Sequence, residues 1–177
     1  EQLLDLLPKR HKPGMATHMD TTMGALINRA QYERTMDFIA SAQAEGALLV
    51  TGGHPPSDPA LAHGFFIEPT VFTGVTPSMR IAREEIFGPV LVIIGYEDID
   101  DAVAIANDSV FGLGGYVSGQ DRDTAIAIAR RMRTGAIWVN GGFDFHAPFG
   151  GYKHSGNGRE WGEHGFAEYL EVKSIIG

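Results

Sequence analysis

Glu84-Glu85-Ile86-Phe87-Gly88-Pro89-Val90 places two carboxylates, an aromatic ring, a Gly-Pro pair and the start of an apolar strand within seven residues. The stretch predicts a short acidic helix, Ser78 to Ile86, ending at Phe87. Gly88 then supplies a permissive backbone, and Pro89 prevents the helix from continuing. Val90 to Gly95 follows as an expected buried strand. A carboxylate and a ring two residues apart at such a corner can be held toward a pocket by the elements on either side. The same residues also suit a carboxylate at a helix end beside a core phenylalanine, and the heptad alone leaves both readings open.

Upstream of this corner, Tyr32, Met36, Ile39 and Gln43 recur at three- and four-residue steps, the first three apolar, which predicts a helix from Arg29 to Ala44. Gly46 stops it, and Ala47 to Thr51 reads as a strand ending in Gly52-Gly53. A polar loop with Pro55, Pro56 and Pro59 precedes a β-rich stretch from Phe65 to Val75, which Pro69 interrupts. The first 22 residues, with Pro8, Pro13 and Gly14, read as a short helix followed by a loop.

Downstream, Leu91 to Tyr96 reads as a strand, and Asp98 can cap a helix running to Asn107. Gly112-Leu113-Gly114 leads into a strand through Val117. Asp121 is placed to cap a helix to Arg133, whose Ala125, Ile128, Ala129 and Met132 form an apolar stripe. Ala136 to Asn140 is the next strand. Strand, helix, strand, helix, strand with short connections predicts a right-handed βαβαβ parallel sheet. A helix from Arg159 to Glu168 and a terminal strand from Tyr169 to Ile176 complete the chain.

The 177 residues suit one domain, and 44% hydrophobic with 20% charged residues is ordinary globular composition. A net charge of −8 argues against nucleic acid as a partner, which needs a basic face. Lys9-Arg10-His11-Lys12 is the only basic cluster and reads as a solvated segment. With no apolar run of membrane-spanning length and no signal-peptide pattern, the expectation is a soluble, cytoplasmic protein. The absence of cysteine excludes disulfides, thiolate metal sites and cysteine catalysis within this chain. The seven histidines include no pair at the i, i+4 spacing of a helical metal site, so no metal is expected.

The glycine-rich run from Phe149 to Glu160 invites a phosphate-loop reading that fails in detail. Gly156-Asn157-Gly158 is followed by Trp161 where a dinucleotide fingerprint requires glycine or alanine, and no Gly-Lys-Ser or Gly-Lys-Thr is present. Adjacent His154 and Ser155 have no third group to orient them as a catalytic pair.

Taken in order, the stretches resemble one family over nearly the whole chain, the aldehyde dehydrogenase superfamily. Met23-Gly24-Ala25-Leu26-Ile27 resembles its Met-Gly-Pro-Leu segment, with Ala25 in place of the usual proline. Phe66 to Val71, Glu84 to Val90, Asn107 to Gly114, Gly135 to Asn140 and Pro148 to Lys153, through Ser155-Gly156 to Gly158-Arg159-Glu160, follow in the family's order. The resemblance implies an α/β, three-layer parallel-sheet catalytic domain with a C-terminal oligomerisation strand. The expected division is an N-terminal helix and loop (1–22), a partial catalytic domain (23–168) and the strand (169–177).

Carried over residue by residue, the resemblance implies that Glu85 contacts the nicotinamide ribose of NAD or NADP and Phe87 the nicotinamide. Gln31 and Arg34 stand where some relatives touch the adenine-side ribose, although Arg34 replaces a frequent lysine and a solvated helix face remains open. Phe149 resembles the ring lining the aldehyde tunnel, with Phe143 or Phe145 as a second wall. Family chemistry uses a cysteine thiolate to attack the aldehyde and a glutamate base to activate water. Both are expected upstream of residue 1, as are the oxyanion-stabilising asparagine and the dinucleotide-binding domain. This chain is therefore expected to be the C-terminal part of an NAD(P)-dependent enzyme, inactive alone and homo-oligomeric when complete. The alternative is a non-catalytic assembly module derived from the family.

Overall fold

The structure is a computed structural model that describes residues 6–7 and 9–177. The helix expected within the first 22 residues falls partly outside the described residues. The chain forms two compact units, Glu1–Gly95 and Tyr96–Gly177. Their boundary lies inside residues 23–168, which the sequence reads as one partial domain. Among the described residues, no helix is long and apolar enough to cross a membrane.

In the first unit, helix α1 spans Arg29–Ala44, as its periodicity predicts. The Asn28 side chain caps it by accepting from the Gln31 N–H at 2.9 Å, and Gly46 ends it with φ of 95°. Its buried residues are Thr35, Phe38, Ile39 and Ala42, an i, i+3, i+4, i+7 stripe. This stripe lies beside the expected one. Tyr32 and Met36 pack at the core margin, and Gln43 is exposed. Ile39 and Ala42 join Ala47, Ile67, Phe72, Val75, Met79 and Ile81 in one apolar core.

Strands β1 (Leu48–Thr51), β2 (Thr70–Thr73) and β3 (Val90–Val92) form a sheet of that order. The central strand β2 runs antiparallel to β1 and parallel to β3. Thr70 is buried within it. Its hydroxyl accepts from the Gly53 N–H at 2.8 Å and donates to the Glu68 carbonyl at 2.8 Å, so its burial leaves no polar valence unmet. β3 is half-exposed and shorter than the buried strand expected from Val90 to Gly95, because among the described residues it has a ladder neighbour on one side only.

Helix α2 covers only Arg80–Arg83, not Ser78 to Ile86. Glu84 is already extended, with φ −109° and ψ 148°, and the next three carbonyls are bonded to α1 side chains instead of to a continuing helix.

In the second unit, Asp98 caps α3 (Ile99–Asn107), accepting from the Asp101 N–H at 2.9 Å. Strand β4 (Gly114–Val117) leads to α4 (Arg122–Ala129) and β5 (Ala136–Val139), and β4 and β5 pair in parallel. α4 stops short of the expected Arg133. There the Asn107 side chain receives the Arg133 N–H at 2.6 Å and donates to the Arg131 carbonyl at 2.9 Å, which fixes a non-helical path. Helix α5 spans Gly162–Ala167 and not Arg159 to Glu168, because Glu160 is held in an antiparallel bridge with Phe149.

The fold is α/β with a mixed sheet and a parallel pair. The single βαβαβ sheet is corrected: β3 bonds to β2, while β4 and β5 form their own two-stranded sheet. Tyr169 to Ile176 forms no ladder in this single chain. A strand requires a partner edge, and Val172 and Ile176 here are 96% and 94% exposed.

Asp121 caps α4 through both the hydroxyl and the N–H of Thr124. The Thr124 hydroxyl first, and then backbone N–H groups, hold its carboxyl below the ordinary value of 3.8. A depressed folded-state pKa contributes stability that is full above the unfolded value and lost as pH falls through the folded one. Asp121→Asn keeps a capping oxygen without that titration. The melting temperature of the variant should therefore fall less steeply on acidification below pH 3.8 than that of the native chain.

Candidate functional site

Three consecutive carbonyls in the corner after α2 are each bonded to α1. The Gln31 amide donates to the Ile86 carbonyl at 2.7 Å and the Phe87 carbonyl at 2.9 Å. Arg34 Nη2 donates to the Glu85 carbonyl at 3.0 Å. One turn on, Thr35 closes the grip. A Cβ on Gly88 would lie 2.6 Å from Thr35 Cγ2, so only glycine lets the corner approach the helix this closely. Residues 31, 34 and 35 share one helix face because they are three and four positions apart.

The grip accounts for an unusual backbone. Phe87 has φ of 55°, a region costly for a residue with a Cβ, yet its ring is 70% exposed. Such a conformation costs on the order of 1–3 kcal/mol and persists where surrounding bonds over-determine it. The ring borders a groove of about 290 Å³ that Met23, Leu26, Ile67 and Pro89 also line.

The two carboxylates of the motif have separate fates. Glu84 bonds Arg80 at 3.1 Å and approaches Arg34 at 3.7 Å. The Glu85 side chain is exposed and makes no hydrogen bond or ion pair among the described residues. Behind them, Arg34 and Arg80 lie over the buried Phe38 ring at 4.8 and 4.1 Å. Arg80 also meets Asp37 at 2.7 Å. Its N–H donates to Glu45 at 2.9 Å. The Ser41 hydroxyl first, and then this N–H, hold the Glu45 carboxyl below its usual range.

The structure thus brings Gln31, Arg34, Glu85 and Phe87 together. The Gln31 amide and one Arg34 nitrogen are committed to the backbone of the corner, so within this chain they support the loop on which Glu85 and Phe87 are displayed. A ribose contact would compete with those bonds.

The second unit assembles the other expected residues around a cavity of about 620 Å³. Phe143 and Phe149 both line it, as do Trp138 and Trp161. Phe145 packs edge-on to Phe143 at 4.7 Å between centroids. Phe149 is fixed by reciprocal backbone bonds with Glu160 at 2.8 and 2.7 Å. Below it the glycine loop is compressed: a Cβ on Gly135 would lie 1.8 Å from the Gly150 carbonyl, and one on Gly150 would lie 2.1 Å from that of Gly158. Arg159 Nη1 collects the carbonyls of Gly151, Asn157 and Gly158 at 3.0, 2.9 and 2.9 Å. The glycines read above as a failed phosphate loop are a close-packing device. Sequence reasoning missed Trp161 as a lining residue, although a large aromatic directly before Gly162 was the available signal.

The model of the aldehyde dehydrogenase family matches residues 1–175. The chain belongs to the aldehyde dehydrogenase family. It is 49% identical over 178 residues to a 3-succinoylsemialdehyde-pyridine dehydrogenase of a Pseudomonas species, covering 100% of this chain and 37% of that protein. Among solved structures, a mutant aldehyde dehydrogenase C of Pseudomonas syringae complexed with NAD+ and octanal superposes with a TM-score of 0.87. It is 52% identical, over 93% of this chain and 34% of that one. A betaine aldehyde dehydrogenase of Staphylococcus aureus in complex with NAD+ gives 0.90 at 40% identity, over 96% and 34%. The chain spans about a third of the length of these relatives.

Gln31→Leu should free the corner from α1. Water can replace the amide at the exposed Phe87 carbonyl but less well at the half-buried Ile86 carbonyl, so the stability loss should be about 1 kcal/mol. Amide hydrogen exchange at residues 85–90 should accelerate while that of α1 does not. Gln31→Glu, which has no donor to offer, should be at least as damaging.

Proposed function

We propose that this chain supplies the nicotinamide-facing wall and part of the aldehyde tunnel of an NAD(P)-dependent enzyme that oxidises an aldehyde to a carboxylic acid. The observation carrying this reading is the corner: a carboxylate with no partner among the described residues and an exposed ring, two residues apart, on a backbone held by α1. A nicotinamide nucleoside needs an acceptor for its ribose hydroxyls and an apolar surface for its ring, and Glu85 and Phe87 offer both. When bound, the dinucleotide accepts the hydride that leaves the aldehyde carbon.

The rest is done by the protein. Glu85 accepts a hydrogen bond from a ribose hydroxyl, which orients the sugar. Phe87 backs the nicotinamide, and Gln31 and Arg34 keep both from drifting by holding the carbonyls between them. Phe149 and Phe143 present rings to the aldehyde chain and exclude water from it. A nucleophilic thiolate has to come from sequence other than these 177 residues, which contain no cysteine. The acidic balance of −8 supports an enzyme without a nucleic-acid partner, and a cytoplasmic location is part of the same proposal. Exposed Leu170, Val172, Ile175 and Ile176 support a terminal segment that gains its strand partner from another subunit of a homo-oligomer.

Two measurements test this reading. The isolated chain, incubated with NAD+ or NADP+ and octanal or propanal, should form no NAD(P)H; steady formation above a cysteine-free control protein would overturn it. In the full-length protein carrying this segment, Glu85→Gln should weaken NAD(P)+ binding by about 10- to 100-fold, as expected for loss of a charge-assisted bond of roughly 1.5–3 kcal/mol. Its melting temperature should barely move, because the carboxylate supports nothing else. A large drop in melting temperature with unchanged cofactor affinity would make Glu85 a structural residue.

A further inference from the structure

We infer that Trp161 is a specificity-determining wall of the aldehyde site, selecting substrates with an extended apolar chain over short ones. The inference rests on the oxidation of an aldehyde proposed above. It begins with the backbone. Trp161 has φ of 63° and ψ of 157°, a region that residues with a Cβ almost never enter. Its neighbours hold it there. Glu160 on one side is bonded both ways to Phe149. On the other, Gly162 has φ of 61°, and a Cβ there would lie 2.3 Å from the His146 carbonyl. The Trp161 carbonyl accepts from the Gly165 N–H at 3.0 Å.

This path delivers the indole to the cavity instead of the core. It stacks on Phe149 at 5.0 Å and 30°, and meets Phe145 and Phe143 edge-on at 5.5 and 5.9 Å. It remains 38% exposed and lines the same cavity as Phe143 and Phe149. Here the ring both fixes Phe149 and presents a broad apolar face beside it. An aldehyde of several methylenes can lie along that face, whereas a short aldehyde presents little apolar surface to it. Each methylene desolvated in such a pocket multiplies discrimination by a modest factor, so the wall should matter in proportion to chain length.

The test compares the full-length protein with its Trp161→Leu and Trp161→Phe variants, reading kcat/KM for octanal and propanal and, without cofactor, the calorimetric affinity for octanoate. Trp161→Leu should lower the octanal-to-propanal ratio about tenfold, mainly through KM for octanal, and weaken octanoate to a similar degree. Trp161→Phe should fall between. An unchanged ratio, or equal losses for both aldehydes with a lowered melting temperature, would overturn the inference. If Trp161→Leu does not fold, an unchanged ratio in Trp161→Phe overturns it alone. Should the wild type oxidise neither aldehyde, octanoate affinity that depends on Trp161 would uphold the wall and reject the oxidation reading. Octanoate affinity indifferent to Trp161 would reject the wall.

Discussion

The two hydrogen bonds from the Gln31 amide to the carbonyls of Ile86 and Phe87 are the constraint on which the geometry of the first unit's exposed corner depends. A side-chain amide has two N–H donors in a rigid plane, and two successive carbonyls at a sharp corner are a matching pair of acceptors. With Arg34 taking the preceding carbonyl, the backbone of the corner has little freedom left. The constraint reaches further down. Gln31 is in position only because α1 is, and α1 is seated by Phe38, Ile39 and Ala42, all essentially without solvent exposure. The chain of dependence therefore runs from apolar burial, through helix placement and a polar clamp, to an exposed ring.

The second unit solves the same problem with other chemistry. There a guanidinium takes the place of the amide, and Arg159 gathers three carbonyls of the glycine loop. Each clamp stands beside an aromatic residue in positive-φ geometry, Phe87 in one unit and Trp161 in the other. The remaining two non-glycine residues of that kind among those described, Asn140 and Lys153, are braced by their own side chains. Asn140 receives the Gly119 N–H, and Lys153 donates to the carbonyls of Asn107 and Ser109. Phe87 and Trp161 cannot brace themselves, since a phenyl ring has no polar atom and the indole offers one donor. Their strain has to be absorbed by neighbours, which is the arrangement expected where exposure of the ring serves binding.

Much of the local structure was legible in the sequence. Asn28 and the periodicity after it define α1, and Asp98 and Asp121 each cap the helix that follows, because capping acts within three residues of the chain. The roles that failed to show were those set at long range. Nothing near Glu84 announces that Gln31, 55 residues from Ile86, will unwind the expected helix. The bridge between Phe149 and Glu160 shortens α5 in the same way. Strand order is non-local by nature: the β3–α3–β4 succession reads as one sheet, yet β3 finds its partner in β2. The candidate site residues come from family resemblance, and the geometry separates the exposed Glu85 and Phe87 from Gln31 and Arg34, whose side chains hold the corner.

Glu84 and Glu85 show why the chemical type of a residue does not settle its role. They are adjacent, identical and both exposed, and propensity or charge cannot tell them apart. Glu84, next to the end of α2, lies within reach of Arg80 and Arg34, and its carboxylate goes into holding the helix terminus to α1. Glu85 lies one residue further along an extended backbone, where successive side chains point to opposite sides. Among the described residues its side chain pairs with neither guanidinium group, while its carbonyl accepts from Arg34. Exchanging the two residues would leave the composition unchanged. What separates the exposed Glu85 from the paired Glu84 is the single-residue offset created where α2 stops.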